Sequence, residues 1–310
     1  MKNPGESPTG GQCAVCGEPL VPRFPEVRDP LTGERFSIHR CVRCGLGHTV
    51  PRPEDPGRYY PSEYYGNRHG ITSRYCARRR LRFVEAAVPG GGGKRVLDIG
   101  CGDGAFLLAA KGAGWNVMGI ERNPGPARAA GLDVRETLEE VPTEESFDCA
   151  TLWHSFEHMP DVRSTLAALR GLLKPDGKLL IAVPDSGGLQ AKVFGNRWFH
   201  LDVPRHLVHF DDGSLRYCLE ACGYTIERRW HQEFEYDLFG WSQSALNCIL
   251  KSPNVFFHLL TGRRGDRGAS LALLNILLGS ILTGLFLPAV AAGTLSGRGG
   301  TLVVAASRGV

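Results

Sequence analysis

Residues 94–104 read Lys-Arg-Val-Leu-Asp-Ile-Gly-Cys-Gly-Asp-Gly, and their order decides the fold. An apolar run, Val96, Leu97 and Ile99, ends in glycines at alternate positions, Gly100, Gly102 and Gly104, and residues 105–111 follow with helical character. A buried strand, a tight turn and a helix start bring backbone N–H groups close to a ligand, because glycine accepts left-handed dihedrals and carries no Cβ. Seventeen residues after Gly104, a second apolar run over 117–120 ends in Glu121. A carboxylate at the tip of the second strand suits the two hydroxyls of a ribose, so the two features together predict a site for an adenosine-containing ligand.

The alternation continues along the chain. Residues 75–88 set Arg78, Arg79, Arg80 and Arg82 against Leu81, Phe83 and Val84, the spacing of an amphipathic helix with a solvated basic face. Residues 116–121 predict the second strand, 123–131 a short helix, 133–136 a third strand and 147–153 a fourth, which runs into His154-Ser-Phe-Glu157-His158. A helix over 162–173, a Lys174-Pro-Asp-Gly177 turn and a fifth strand over 178–183 follow. A helix over 211–223, a sixth strand over 224–230 and a last strand over 301–307 complete the pattern. This predicts an α/β fold: a Rossmann-like, seven-stranded, mostly parallel sheet with helices on both faces. Ligands of such sheets sit beyond the carboxyl ends of the strands, where 98–104, 121–123, 153–158 and 184–186 all fall.

The dinucleotide fingerprint G-x-G-x-x-G/A is met only loosely, with Ala105 in its last place. Asp98 stands just before the glycines, where it would repel a pyrophosphate and attract an amino-acid ammonium. Asp98-Ile-Gly-Cys-Gly-Asp-Gly104 with Glu121, and the turn at 174–177, resemble class I S-adenosylmethionine-dependent methyltransferases. Within that superfamily the chain is most similar to bacterial members with a four-cysteine zinc ribbon ahead of the catalytic domain. Glu157-His158 and Trp198-Phe-His200-Leu-Asp202-Val-Pro204-Arg205-His206-Leu-Val-His209-Phe210 carry that likeness. The resemblance implies S-adenosylmethionine as cofactor, bound by Asp98, Gly100, Cys101, Gly102, Gly104, Glu121, Arg122 and His154.

Transfer of a sulfonium methyl is an in-line displacement in which the protein aligns two molecules and removes a proton where the acceptor needs it. His154, His158 and His206 are the candidate bases, with Glu157 beside them and His200 and His209 nearby. Each has a plainer reading: His154 packing on adenosine, His158 capping the next helix. Arg205 either clamps an anionic substrate or pairs with Asp202. Cys101 reads as a small filler. The histidines lack a recognisable metal-ligand spacing.

Cys13-x-x-Cys16 and Cys41-x-x-Cys44 are separated by twenty-four residues, and each pair is followed by glycine, Gly17 and Gly45. Two such knuckles predict a closed, tetrahedral, structural zinc site in a small β-ribbon. Residues 1–50 form that module, 51–74 a linker rich in Pro and Tyr (Tyr59, Tyr60, Tyr64, Tyr65), and 75–310 the catalytic domain. The linker tyrosines pack the ribbon against the larger domain or cover the ligand.

A net charge of +4, from 36 basic and 32 acidic residues, supplies no strong basic field for nucleic acid. The fourth strand is followed by Trp153-His-Ser-Phe156, without the Asn/Asp-Pro-Pro-aromatic signature of base amino-methylation. A small-molecule, saccharide or lipid-linked acceptor is therefore expected. RNA, read by the zinc ribbon, is the alternative. The polar amino terminus and the scattered remaining cysteines predict a cytoplasmic protein.

From Ala269 to Gly297 no residue is charged, and leucine and isoleucine dominate. A single crossing would separate the sixth and last strands, so this part of the insert (about 234–298) predicts a broken helical hairpin at a membrane surface, flanked by Arg263, Arg264, Arg267 and Arg298. A buried helix pair or a homodimer interface is the competing account.

Overall fold

The computed structural model describes residues 11–60, 72–142, 144, 146–250, 252–261 and 269–309. Tyr64, Tyr65, Arg263, Arg264 and Arg267 lie outside the described residues. The amino-terminal ribbon is an antiparallel meander of β1 (Leu20–Arg28), β2 (Arg35–Cys41) and β3 (Gly47–Val50). Helix α1 (Ser73–Ala87) leads into β4 (Arg95–Ile99), α2 (Ala105–Gly112), β5 (Asn116–Ile120), α3 (Gly125–Ala129) and β6 (Val134–Arg135). Then come β7 (Phe147–Trp153), α4 (Val162–Leu172), β8 (Leu173–Pro184), α5 (Leu189–Phe194), β9 (Val208–His209), α6 (Asp212–Ala221) and β10 (Tyr224–Trp230). Four helices, α7 (Phe234–Ile249), α8 (Val255–Leu260), α9 (Ala269–Leu285) and α10 (Leu287–Leu295), precede β11 (Thr301–Arg308).

Seven strands form one sheet in the order β10-β11-β8-β7-β4-β5-β6. The pairs from β8 to β6 are parallel, and β11 runs antiparallel to both of its neighbours. Side chains on alternate positions separate into two cores. Leu97, Ile99, Leu152, Ile181 and Val304 pack on one face with Leu166 and Leu169 of α4 and Leu215 and Leu219 of α6. Val96, Leu180, Ala182 and Val303 pack on the other with Val84 of α1 and Phe106 and Leu107 of α2. Because helices cover both faces, these strands read as continuous apolar runs.

One element departs from expectation. Lys174-Pro-Asp-Gly177 is an excursion inside β8: Phe147 pairs with Leu173, and the next partner pair is Cys149 with Lys178. A Cβ on Gly177 would stand 2.9 Å from the Phe147 carbonyl oxygen, so only glycine lets the bulge close against β7.

Strand β9, from the segment after β8, pairs with β3 and completes a four-stranded sheet in the order β1-β2-β3-β9. The ribbon is thereby joined by main-chain bonds to a loop at the sheet's carboxyl edge.

Helices α9 and α10 bend by 44° at Phe286. Among the described residues no single helix is long and apolar enough to cross a membrane, while this bent pair meets the length and composition together. One side of α9 packs inward: a Cβ on Gly279 would meet the Phe256 ring at 2.7 Å, and the Thr283 hydroxyl lies 3.0 Å from that of Ser242. The other side leaves Leu273, Leu277, Ile281 and Leu285, spaced by four, more than half exposed.

Candidate active site

The loop after β4 has the geometry its glycines predict. Gly100, Gly102 and Gly104 all have positive φ, at 76°, 58° and 81°. A Cβ on Gly100 would lie 2.6 Å from the Ser155 Cβ, and one on Gly104 would lie 2.2 Å from Leu132. Gly102 faces open space, and its N–H donates to Glu121 Oε2 at 3.0 Å. Glu121 also accepts the N–H of Asn123 at 3.2 Å. The second-strand carboxylate and the glycine turn thus meet at the carboxyl ends of β4 and β5. The Cys101 thiol is buried beside Gly119, and burial pushes its pKa up. Arg122 is exposed, its guanidinium 4.9 Å from the Tyr60 ring centre.

Asp98 is buried one residue before the end of β4, beside Thr151 on β7, whose hydroxyl donates to it at 2.6 Å. Burial pushes its pKa up to about 7, against the Thr151 hydrogen bond and the Arg80 guanidinium. A carboxyl so poised gains most from a cationic ligand.

Four histidines and a carboxylate meet beyond β7 and β8. His154, with φ of 52°, stacks on Tyr236 at 3.9 Å and bonds through Nε2 to Glu233, which also pairs with Arg79 and Arg80. Burial opposes its charge, but Glu233 and Glu157 prevail and raise its pKa, and its Nε2 is committed to Glu233. Glu157 is buried, and neither carboxylate oxygen has a hydrogen-bond partner among the described residues. Its Oε1 lies 3.7 Å from His154 Nδ1 and 3.8 Å from His206 Nε2. Burial would raise its pKa, but the His154, His206 and His158 rings hold it down at about 2.

His158 and His206 meet edge to face at 4.7 Å. His158 Nδ1 lies 2.8 Å from the Arg205 carbonyl oxygen, and His206 Nδ1 lies 2.9 Å from that of His200. A carbonyl only accepts, so Nδ1 carries a proton in both rings. Glu157, His158 and His206 each offer one ligand atom within 4.8 Å of the others, a set that could also hold a cation. His200 is neutral, its pKa lowered to about 3 by burial and by His154 and His206. His209 bonds to Thr49 inside the ribbon's sheet, with its ring centre 6.3 Å from that of His206. Arg205 pairs with Asp202 at 2.7 Å and with Asp29 at 2.8 Å.

A cavity of about 840 Å³ opens over this cluster. His154, Glu157, His158 and His206 lie in its wall with Phe199, Phe239, Phe256 and Phe257, and the ribbon contributes Pro30 and Leu31. Glu233, Tyr236 and Asp29 escape sequence reading. They follow no spacing rule, and their partners lie far along the chain, 79 residues for Glu233 with His154 and 176 for Asp29 with Arg205.

In the ribbon, the four cysteine sulfurs lie within 4.8 Å of one another, with Cys13 to Cys44 at 3.5 Å and Cys16 to Cys41 at 3.4 Å. A tetrahedral zinc with bonds of about 2.3 Å sets sulfurs roughly 3.8 Å apart, so the donor set fits that ion. Both knuckles close through Gly17 and Gly45, which donate to the Cys13 and Cys41 carbonyls with positive φ.

A family profile described as a methyltransferase domain matches residues 68–228. Among curated proteins the chain is similar to the ubiquinone biosynthesis O-methyltransferase of Actinobacillus pleuropneumoniae serotype 7, 36% identical over 119 residues, covering 33% of this chain and 51% of that one. The protein of the same name from Histophilus somni is 28% identical over 175 residues, covering 47% and 74%. The chain spans about half the length of the first curated relatives it matches. A solved SAM-dependent methyltransferase from Archaeoglobus fulgidus is 20% identical with a TM-score of 0.47, covering 76% of this chain and 94% of that one. With the profile spanning half of the sequence and the glycine loop inside it, this chain belongs to the methyltransferase-domain family.

Proposed function

We propose that this protein transfers the methyl group of S-adenosylmethionine to an ionisable hydroxyl on a small amphiphilic acceptor. The observation that carries the reading is the cavity, whose polar end is Glu157, His158 and His206 and whose walls are aromatic. The relatives named for ubiquinone biosynthesis O-methylation support an acceptor of this kind. A lipid-linked or saccharide acceptor with an apolar anchor fits the same space.

Asp98 takes the ammonium of the donor, Glu121 takes the ribose hydroxyls in place of the Gly102 N–H, and Gly100, Gly102 and Gly104 let the backbone approach; Cys101 packs beneath, and Arg122 follows Glu121 at the surface, against Tyr60. The donor supplies an already activated methyl, so the protein's work is alignment and deprotonation. His158 or His206 removes the acceptor proton at Nε2, and Glu157 stabilises the imidazolium that forms. His154, clamped by Glu233, lies against Glu157 and stacks on Tyr236.

Cys13, Cys16, Cys41 and Cys44 hold a structural zinc ion, which contributes folding energy to a ribbon too small for a core of its own. The organisation follows: ribbon to about residue 50, linker 51–74, catalytic domain 75–310 with its apolar insert over about 234–298. The stripe Leu273, Leu277, Ile281 and Leu285 rests on the cytoplasmic face of a membrane; a homodimer covering it is the second reading.

The experiment is incubation with methyl-labelled S-adenosylmethionine and 4-dodecylcatechol, followed by mass spectrometry, with donor binding measured by calorimetry. Transfer of the label to one catechol oxygen supports the reading. Failure to bind the donor overturns it.

A further inference from the structure

The turn between β1 and β2 belongs to the cavity as much as to the ribbon. Asp29 is fully buried at its start. Its Oδ1 accepts the Leu31 N–H at 3.2 Å, and its Oδ2 accepts the Thr32 N–H at 3.1 Å and the Thr32 hydroxyl at 2.8 Å. The same Oδ1 receives Arg205 Nη2 at 2.8 Å. Arg205 is 2% exposed, and its carbonyl takes the Nδ1 proton of His158. One carboxylate therefore shapes the turn and anchors the loop that orients a candidate base.

Other contacts converge here. The Tyr59 hydroxyl donates to Glu34 at 2.5 Å, and the Tyr59 carbonyl lies 3.4 Å from Arg205 Nη1. The Tyr60 hydroxyl is 3.0 Å from His158 Nδ1. Pro30 and Leu31, at the tip of the turn, line the cavity. The Asp29–Arg205 pair ties this turn to a loop 176 residues away, and removing one member strands a buried charge.

We propose that the amino-terminal ribbon is the specificity wall of the acceptor site: Pro30 and Leu31 close the cavity over the acceptor, and Asp29, a positioning residue acting through Arg205, fixes His158. This rests on reading the cavity as the acceptor site. Damage to the ribbon then raises the acceptor KM and leaves donor affinity untouched, because Asp98, Gly102 and Glu121 lie on β4, β5 and their loops.

The test uses the full chain and the variants Leu31→Asp and Asp29→Asn. Leu31 is 41% exposed, so its substitution spares the fold. With 4-dodecylcatechol as probe, Leu31→Asp is expected to raise KM at least tenfold with the calorimetric affinity for S-adenosylmethionine unchanged within twofold. Asp29→Asn is expected to lower kcat, to shift its pH profile, and to speed amide exchange at least tenfold at His206 and Leu207, which bond to Asp202 and Glu157. Wild-type values of KM and pH profile in both variants overturn the proposal. If the wild-type chain does not methylate this probe, the acceptor reading fails, and amide exchange decides the positioning claim by itself: faster exchange in Asp29→Asn supports it, and unchanged exchange overturns it.

Discussion

The Thr151 hydroxyl donates to Asp98 Oδ1 at 2.6 Å across two adjacent parallel strands, and it is the neutral support of a buried carboxyl whose pKa stands at about 7. The value in the folded chain exceeds the ordinary 3.8, so the folded state holds this proton more tightly than the unfolded one. Stability falls as pH rises from about 4 to about 7, and a bound ammonium reverses that loss. Donor affinity, measured by calorimetry, should therefore rise between pH 6 and pH 8 with net proton release. Thr151→Val removes a hydrogen bond to the carboxylate and should move this window upward by about one pH unit, equivalent to about 1.4 kcal/mol.

The proposed ribose contact of Glu121 is open to a direct test. The residue is half-exposed and lies in a loop, so Glu121→Ala should leave the unfolding temperature almost unchanged. Donor affinity should fall about 10- to 100-fold, the range of roughly 1.5–3 kcal/mol for hydrogen bonds to a charged group. Equal affinity in titrations of the two proteins would place the ribose elsewhere.

The base should show in kcat alone. His158→Gln or His206→Gln, whichever removes the proton acceptor, should reduce kcat by about 10²- to 10⁴-fold with donor affinity intact. The other variant should affect chiefly KM. Single-turnover rates with 4-dodecylcatechol separate the two assignments.

Glu157 has an acid-side consequence. Its carboxyl is held at about 2, below the ordinary 4.5, so it contributes stability that is complete above pH 4.5 and lost as pH falls towards 2. Glu157→Gln should flatten the melting temperature over that interval when thermal unfolding is followed against pH.

Metal analysis should find one zinc per chain, and Cys41→Ser or a strong chelator should abolish it. The expected loss is several kcal/mol of ribbon stability, on the scale of structural zinc sites, seen as an early unfolding step in calorimetry.

The outward stripe of α9 can be read separately. Leu277 and Ile281 are 54% and 58% exposed, one turn apart. The double change Leu277→Glu and Ile281→Glu should abolish sedimentation with vesicles rich in anionic lipid while donor binding persists. If it instead converts a dimer into a monomer in light scattering, a second copy covers this face.

The legible parts of this molecule are those whose cause is local. Alternating apolar residues, glycines at 100, 102 and 104 and a terminal Glu121 dictate strand, turn and helix start through steric rules acting over a few residues, and β4, α2, β5 and β7 lie where those rules put them. Four cysteines in matched knuckles predict their own convergence for the same reason. The excursion at residues 174–177 misleads because a bulge and a reverse turn share turn-forming residues, and pairing with β7 settles which forms. The clamp of Glu233 on His154, the hold of Asp29 on Arg205, the carbonyl contacts of His158 and His206 and the extra strand that joins ribbon to sheet depend on residues brought together by packing of the whole chain. No spacing encodes them, since a buried charge takes whatever partner the closed fold brings within reach.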